Sequence, residues 1–275
     1  MWFLPMNGRY HDGELEAQRR AGVRDLAERV GRIIRPTITG APAEFLAAQS
    51  MVIVATTRRD GVVHASALGG APGFARATGI GSIEVLPGSG HLDTVFGDLA
   101  ESGTLGMLAI DFATRRRMRA NGYAVVENGT IRLSTAEVYA NCPQYIVRRE
   151  NAVELGTARR RSATSLSDAQ QRTIASASTF FIATAHPDIG ADVSHRGGAP
   201  GFIRVDGNRI SWPDYAGNNM FNTVGNLLVN RRCGLLFIDF ETGATLQIEG
   251  TASIQWNDER SIEVAVDRCL ETEGN

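Results

Sequence analysis

The residues best equipped for chemistry in this chain are arginines set at alternate positions and a run of asparagines. In Thr114-Arg115-Arg116-Arg117-Met118-Arg119, an extended backbone puts Arg115, Arg117 and Arg119 on one face and Arg116 and Met118 on the other. Like charges about 7 Å apart on one face of a strand cost stability unless an anion lies over them. Further on, Ser194-His195-Arg196 closes a strand, and Asp214-Tyr215-Ala216-Gly217-Asn218-Asn219-Met220-Phe221-Asn222-Thr223 crowds amides where a strand passes into a helix. Backbone N–H groups at a helix start, joined by asparagine side chains, suit a phosphate or carboxylate. Each feature also has a structural use. Asp214 and the asparagines can cap a helix and close a turn, and an arginine strand can be a solvated edge that discourages aggregation.

Composition sharpens the anion reading. The chain has 275 residues, 28 basic and 30 acidic, for a formal charge of −2, and every basic residue is arginine. Without lysine there is no Schiff-base amine and no P-loop lysine. Any bound anion therefore falls to arginine forks, backbone N–H groups and hydroxyls. The near-zero net charge argues against a nucleic-acid or anionic-membrane partner. With 43% apolar and 21% charged residues, the composition is that of an ordinary globular protein, long enough for two modules. No apolar run approaches the roughly 20 residues of a membrane span, and Met1-Trp2-Phe3-Leu4-Pro5-Met6 lacks the basic flank of a signal peptide. Cys142, Cys233 and Cys269 show no CxxC spacing for a zinc site and no disulfide framework. The expectation is a reduced, cytoplasmic protein.

The elements that must position these residues come as a pair. Gly69-Gly70-Ala71-Pro72-Gly73-Phe74 recurs at Gly197 to Phe202, and Leu108-Ala109-Ile110-Asp111-Phe112 recurs as Leu236-Phe237-Ile238-Asp239-Phe240, both at an offset of 128 residues. At that offset, without gaps, residues 51–124 and 179–252 share 22 identities in 74 positions, which marks a tandem duplication of whole subdomains. Each copy reads as mostly antiparallel β with one helix, a small capped barrel. Strands are expected over 105–112, 115–127 and, after the Asn128-Gly129 hairpin signal, 131–138, and over 234–240 and 244–256 in the second copy. Helical periods appear outside the repeat, over 13–34 and 165–176. The expected organisation is a helical extension over 1–40, a first half over 41–155, a linker over 156–165 and a second half over 166–275. The copies diverge at polar positions: His195 and Arg196 stand where the first copy has Ala67 and Leu68, which points to one composite site.

Several motifs resemble the pyridoxamine 5′-phosphate oxidase-related FMN-binding split-barrel family, in its tandem double-barrel branch. They are His11-Asp12-Gly13-Glu14-Leu15 with Gln18 to Gly22, Ala109 to Gly122, Tyr139 to Ile146, Gly197 to Phe202, and Asp214 to Asn226 running into Leu235 to Phe240. The resemblance implies a mainly β (α+β) fold: two tandem six-stranded split β-barrels with flanking helices, related by a pseudo-two-fold, with FMN between them. Carried over position by position, it implies phosphate and flavin contacts from Ser194, His195, Arg196, Asp214, Asn218, Asn219, Met220 and Asn222. It adds Arg115, Arg117 and Arg119 from the partner barrel, with His64 as an inner-strand histidine able to touch a flavin. Asn or Met stands where simpler oxidases carry a lysine. Because a flavin performs hydride and electron transfer itself, no catalytic acid or base is expected. The family reading is an FMN-dependent oxidoreductase or electron-transfer module acting on a small molecule, with NAD(P)H or a redox protein as donor. The alternatives are F420 or haem as cofactor, a non-catalytic carrier, or a barrel that has lost its ligand. No metal is expected, and an internal pseudo-dimer leaves room for a homodimer without requiring one.

Overall fold

The computed structural model describes residues 9–140, 143–150, 153–156, 160–257 and 259–274. Three helices lead in: α1 (Asp12–Arg20), α2 (Arg24–Gly31) and α3 (Ala41–Ala47). The period over 13–34 thus splits into two helices. The chain breaks at Gly22, whose φ of 67° is left-handed, a conformation open to glycine at little cost. α3 is too short for its period to show in sequence; Pro42 lies in its first turn, where a missing N–H costs nothing.

The first half continues with β1 (Met51–Thr57), β2 (Val63–Gly69), β3 (Ala75–Gly79), β4 (Ser82–Val85), β5 (Ser89–Gly90), α4 (Leu92–Ser102), β6 (Thr104–Asp111), β7 (Arg116–Glu127) and β8 (Thr130–Ala140). The second runs β9 (Arg160–Ala163), α5 (Asp168–Ser176), β10 (Thr179–His186), β11 (Gly190–Gly197), β12 (Arg204–Asp206), β13 (Arg209–Pro213), α6 (Asn222–Val229), β14 (Arg232–Ile238), β15 (Thr245–Gln255) and β16 (Ser261–Thr272). Two curled antiparallel sheets result, in the orders β3-β4-β8-β7-β6-β1-β2-β5 and β11-β10-β14-β15-β16-β13-β12. This is the tandem split-barrel architecture. Each sheet has eight strands where six were expected. Each half carries a short hairpin, β3–β4 and β12–β13, and β5 and β9 are short edge additions. β9 lies in the stretch read as a linker and pairs with β16.

Local chemistry explains the turns and caps. Asn128 and Gly129, with φ of 50° and 76°, close the β7–β8 hairpin as their type predicts. α5 opens on a capping box, Ser167 accepting from the Gln170 N–H while Gln170 accepts from the Ser167 N–H. Both long hairpins carry a bulge at the same place in the repeat, Asn121/Gly122 and Glu249/Gly250. Such bulges re-aim side chains.

The core explains why β1 and β10 read as unbroken apolar runs. On β1, Val52 and Val54 point into their own barrel with Met107, Ala109 and Met118. Ile53 and Ala55 face the other way, packing with Leu108, Phe181, Ala183 and Leu236 in a cluster shared by both halves. Each fully buried Ile or Phe there contributes about 1.5–3 kcal/mol. The barrels approach backbone to backbone at two pseudo-equivalent glycines. A Cβ on Gly106 would lie 2.6 Å from the Ala191 oxygen, and one on Gly234 would lie 2.6 Å from the Val63 oxygen.

Candidate functional site

Strand alternation on β7 aims Arg117 and Arg119 at the second half, while Met118 enters its own core. Arg119 is buried, and its guanidinium gathers groups from across the interface. Nη2 donates to Ser194 Oγ at 2.5 Å. Nη1 donates to Asp192 Oδ2, Asn222 Oδ1 and the Tyr139 hydroxyl, each at 3.2 Å. Burial opposes its charge, but Asp192, Tyr139 and Glu137 together prevail and hold the proton on. Arg117 Nη1 donates to His195 Nδ1 at 3.1 Å. Burial first, and then Arg117 and Arg196, push the His195 pKa well below its usual value. The ring is neutral with its proton on Nε2, a buried donor with no partner among the described residues.

Above this layer opens a cavity of about 260 Å³, lined among others by Arg119, Ser194, Arg196, Asp214, Asn218, Asn219, Asn222, Thr223 and Arg260. Ser194 Oγ and Thr223 Oγ1 lie 2.9 Å apart. Asp214 pairs with two arginines, at 3.5 Å from Arg196 Nη2 and 2.7 Å from Arg260 Nε. Arg260 also stacks over the Phe221 ring at 4.7 Å. Burial lowers the Arg196 pKa, and its Nε lacks a partner among the described residues. Three guanidiniums set against one cavity carboxylate, with amides and hydroxyls between them, form a donor-rich pocket matched to an anion.

Of the residues singled out from sequence, Ser194, Arg196, Asp214, Asn218, Asn219, Asn222 and Arg119 meet at this cavity. His195 and Arg117 lie directly behind it. Met220 does not face it; the side chain is wholly buried among Tyr10, Ala27 and Tyr139. Arg115 is not on the strand. It is an exposed turn residue with φ 55°, so the alternation begins at Arg116, whose guanidinium lies over the Phe45 ring at 4.9 Å. Asn141 and Cys142 lie outside the described residues. Arg260, Tyr215 and Thr223 also line it. Tyr215 and Thr223 lie within the amide-rich run, but Arg260 falls beyond the repeat and carried no signal.

The His11–Gly22 motif explains how the 218–222 segment is held. Asn219 and Phe221 are both left-handed, φ 62° and 67°, each a strained choice for a residue other than glycine. α1 braces them: Gln18 Nε2 donates to the Met220 oxygen at 3.0 Å, and Asn222 Nδ2 donates to Glu14 Oε1 at 2.7 Å. Helix α1 reaches them because Gly13 crosses Gly225, where a Cβ would lie 2.2 Å from the Gly225 oxygen. His11 caps α1 in a capping box with Glu14, and its ring packs 4.6 Å from that of His186. Asp12 completes a cluster of ligand-type atoms within 4.8 Å of one another. Both imidazoles, however, accept backbone N–H groups at Nδ1, from Gly13 and Asp188, so Nε2 carries the proton in each. A metal would have to displace those bonds, and the cluster is a better helix anchor than an ion site.

His64 belongs elsewhere. At the offset of 128 it matches Asp192, and it lines a separate cavity of about 500 Å³ beside α4. Nδ1 donates to Asp98 Oδ2 at 2.7 Å and Nε2 to Glu249 Oε1 at 3.2 Å. Burial would lower its pKa, but the two carboxylates prevail and raise it to about 9.

Fold and pocket together define a tandem split-barrel protein with a donor-rich cavity between its halves. Residues 166–271, within the second half of the chain, match the family described as pyridoxamine 5′-phosphate oxidase. No curated protein matches the chain. Among solved structures, one from Lactobacillus delbrueckii named for pyridoxamine 5′-phosphate oxidase is 11% identical over 39% of this chain and 94% of its own, with a TM-score of 0.33. The FAD binding protein from Mycobacterium smegmatis is 15% identical over 40% of this chain and 97% of its own, TM-score 0.27. The haem storage protein HutZ from Vibrio cholerae is 13% identical over 35% and 86%, TM-score 0.26. No helix among the described residues is long and apolar enough to cross a membrane.

Proposed function

We propose that the chain binds a flavin mononucleotide through its phosphate and works as a flavin-dependent oxidoreductase or electron-transfer module on a small molecule. One observation carries this reading: arginines from both halves, the buried Arg119 and the half-buried Arg196, converge with Ser194, Thr223 and Asn222 on one cavity. A phosphate monoester presents oxygens that such forks and hydroxyls recognise. The orphaned Nε of Arg196 is one further buried donor of the kind a phosphate oxygen satisfies.

At about 260 Å³ the cavity falls below the roughly 300–1,000 Å³ of pockets that enclose a whole small molecule. It therefore suits the phosphate end alone. An adjoining cleft of about 870 Å³ shares Ala21, Asp214, Tyr215, Ala216 and Arg260 with it and is walled by Trp256, giving room and an aromatic surface for the remainder. A bound flavin would supply hydride and electron transfer, and the chain supplies binding, orientation and electrostatics. Arg119, Arg196 and Arg260 would hold the dianion, and the neutral, Nε2-protonated His195 would keep a further donor behind it.

The visible spectrum of purified protein tests this reading. Flavin bands near those of free FMN, with FMN released by heat, are expected. A Soret band would replace it with the haem alternative, and a colourless protein that ignores added FMN would remove it. Oxidation of NADH or NADPH under stopped flow then separates an enzyme from a carrier.

A further inference from the structure

A duplicated fold presents every site twice, so the phosphate position of the second half implies another in the first. Resting on the phosphate reading above, we propose that each chain nevertheless binds a single phosphate-bearing ligand, because the first half's position is closed and has no counterparts of Arg119 and Arg196.

The closure is visible in the backbone. In the second half, residues 214–219 stand off β11, which ends its sheet, and the pocket lies between. In the first half the corresponding segment lies down on β2. β5 pairs Gly90 with Leu68 and Ser89 with Gly69, and His91 N–H donates to the Ala67 oxygen at 3.0 Å. Gly90, φ 104°, comes so near that a Cβ would sit 2.1 Å from the Ala67 oxygen. Asn218 stands at the unbroken offset of 128 from Gly90, and its Cβ has no room for that approach. The second-half segment is thereby held open.

The donors change with the backbone. His91 is buried across the gap, accepting the Ala67 N–H at Nδ1 over 2.9 Å and donating from Nε2 to Thr245 Oγ1 at 2.8 Å. At the positions of Arg117, Arg119 and Arg196 the other copy has Thr245, Gln247 and Leu68. Gln247 spends its Nε2 on the Ala65 oxygen and Ser66 Oγ, at 2.8 and 3.0 Å. The brace is missing as well. Gly225 is crossed by α1, whereas its counterpart Gly97 has no atom of the described residues within 4 Å of a Cβ added there. The space left beside α4 is lined by Asp93, Asp98, Glu101 and Glu249 together with Arg58, His64 and Arg268. Four carboxylates against three cationic groups leave that space net negative, which opposes an anion there.

Counting ligand per chain tests the proposal. Equilibrium dialysis is run with FMN and, separately, with inorganic pyrophosphate, on the full chain, Arg196→Ala and Asn218→Asp. Asn218→Asp keeps the acceptor that holds the Met220 N–H while adding a negative charge at the pocket, so it preserves the fold if Arg196→Ala does not. The expected count is one per chain, with affinity falling at least tenfold in both variants and no unaffected half remaining. Pyrophosphate bound at one per chain without FMN binding would sink the flavin reading and leave the single site standing. Two ligands per chain, none of either probe, or half the capacity surviving at full affinity in the variants would each overturn the proposal.

Discussion

Arg119 and His64 show how one duplicated frame came to hold a different cation in each half. Both face the partner half from pseudo-equivalent surroundings: Arg119 sits against Asp192, Ser194 and Asn222, and His64 between Asp98 and Glu249. His64 has a measurable consequence. Its folded pKa of about 9 exceeds the unfolded value near 6.5, so its contribution is fully present below pH 6.5. It is lost as pH rises through about 9. Chemical denaturation between pH 6 and 10 should show stability declining by on the order of 2 kcal/mol, and His64→Phe should flatten that decline. An unchanged slope in the variant would show that the clamp carries no such linkage. At this scale the sequence was informative where a residue broke the repeat, as Arg196 and Asn218 do. It was silent where partners meet across long separations, as Glu14 and Asn222 do, 208 residues apart. Arg115 was misplaced by counting alternation one residue too early, before its left-handed turn had ended.

Helix α1 turns the amide-rich segment into a site. Its period was readable, but not its break at Gly22 or its docking, because a glycine-on-glycine crossing leaves no apolar stripe to detect. Gly13→Val puts side-chain atoms where the Gly225 oxygen lies 2.2 Å from a Cβ. That should lift α1 from α6 and release Gln18 from Met220 and Glu14 from Asn222. Losing two buried hydrogen bonds and the packing costs about 2–4 kcal/mol. The expected result is a melting point lower by several degrees and anion affinity reduced roughly tenfold or more, read by calorimetry and dialysis on one preparation. Wild-type affinity in a destabilised variant would limit α1 to a structural role. The hairpin at Asn128-Gly129 and the capping box at Ser167 were legible because each is specified by residues adjacent in the chain.

For the whole molecule, the duplication announced itself through glycines and core residues, and the glycines now have reasons. Gly106 and Gly234 allow the sheets to meet over the shared cluster of Ile53, Leu108, Phe181 and Leu236. Gly234→Val should separate the halves and lower the melting point by about 5 °C or more. It should also weaken anion binding, since Arg119 reaches Ser194 only across that seam. A melting point unchanged within a degree would mean the seam tolerates a side chain. The strand count was less legible than the architecture, because β5 is only two residues long and exists through a single close approach at Gly90.

The role proposed for the cavity between the halves is to recognise a phosphate. Comparing the dissociation constants of FMN and riboflavin by flavin fluorescence tests it most directly, since the two differ only in that group. Charge-assisted hydrogen bonds contribute about 1.5–3 kcal/mol each, so two or more to the phosphate predict FMN binding at least 100-fold tighter, an advantage largely lost in Arg196→Ala. Equal affinity for riboflavin and FMN in the unaltered chain would contradict the account.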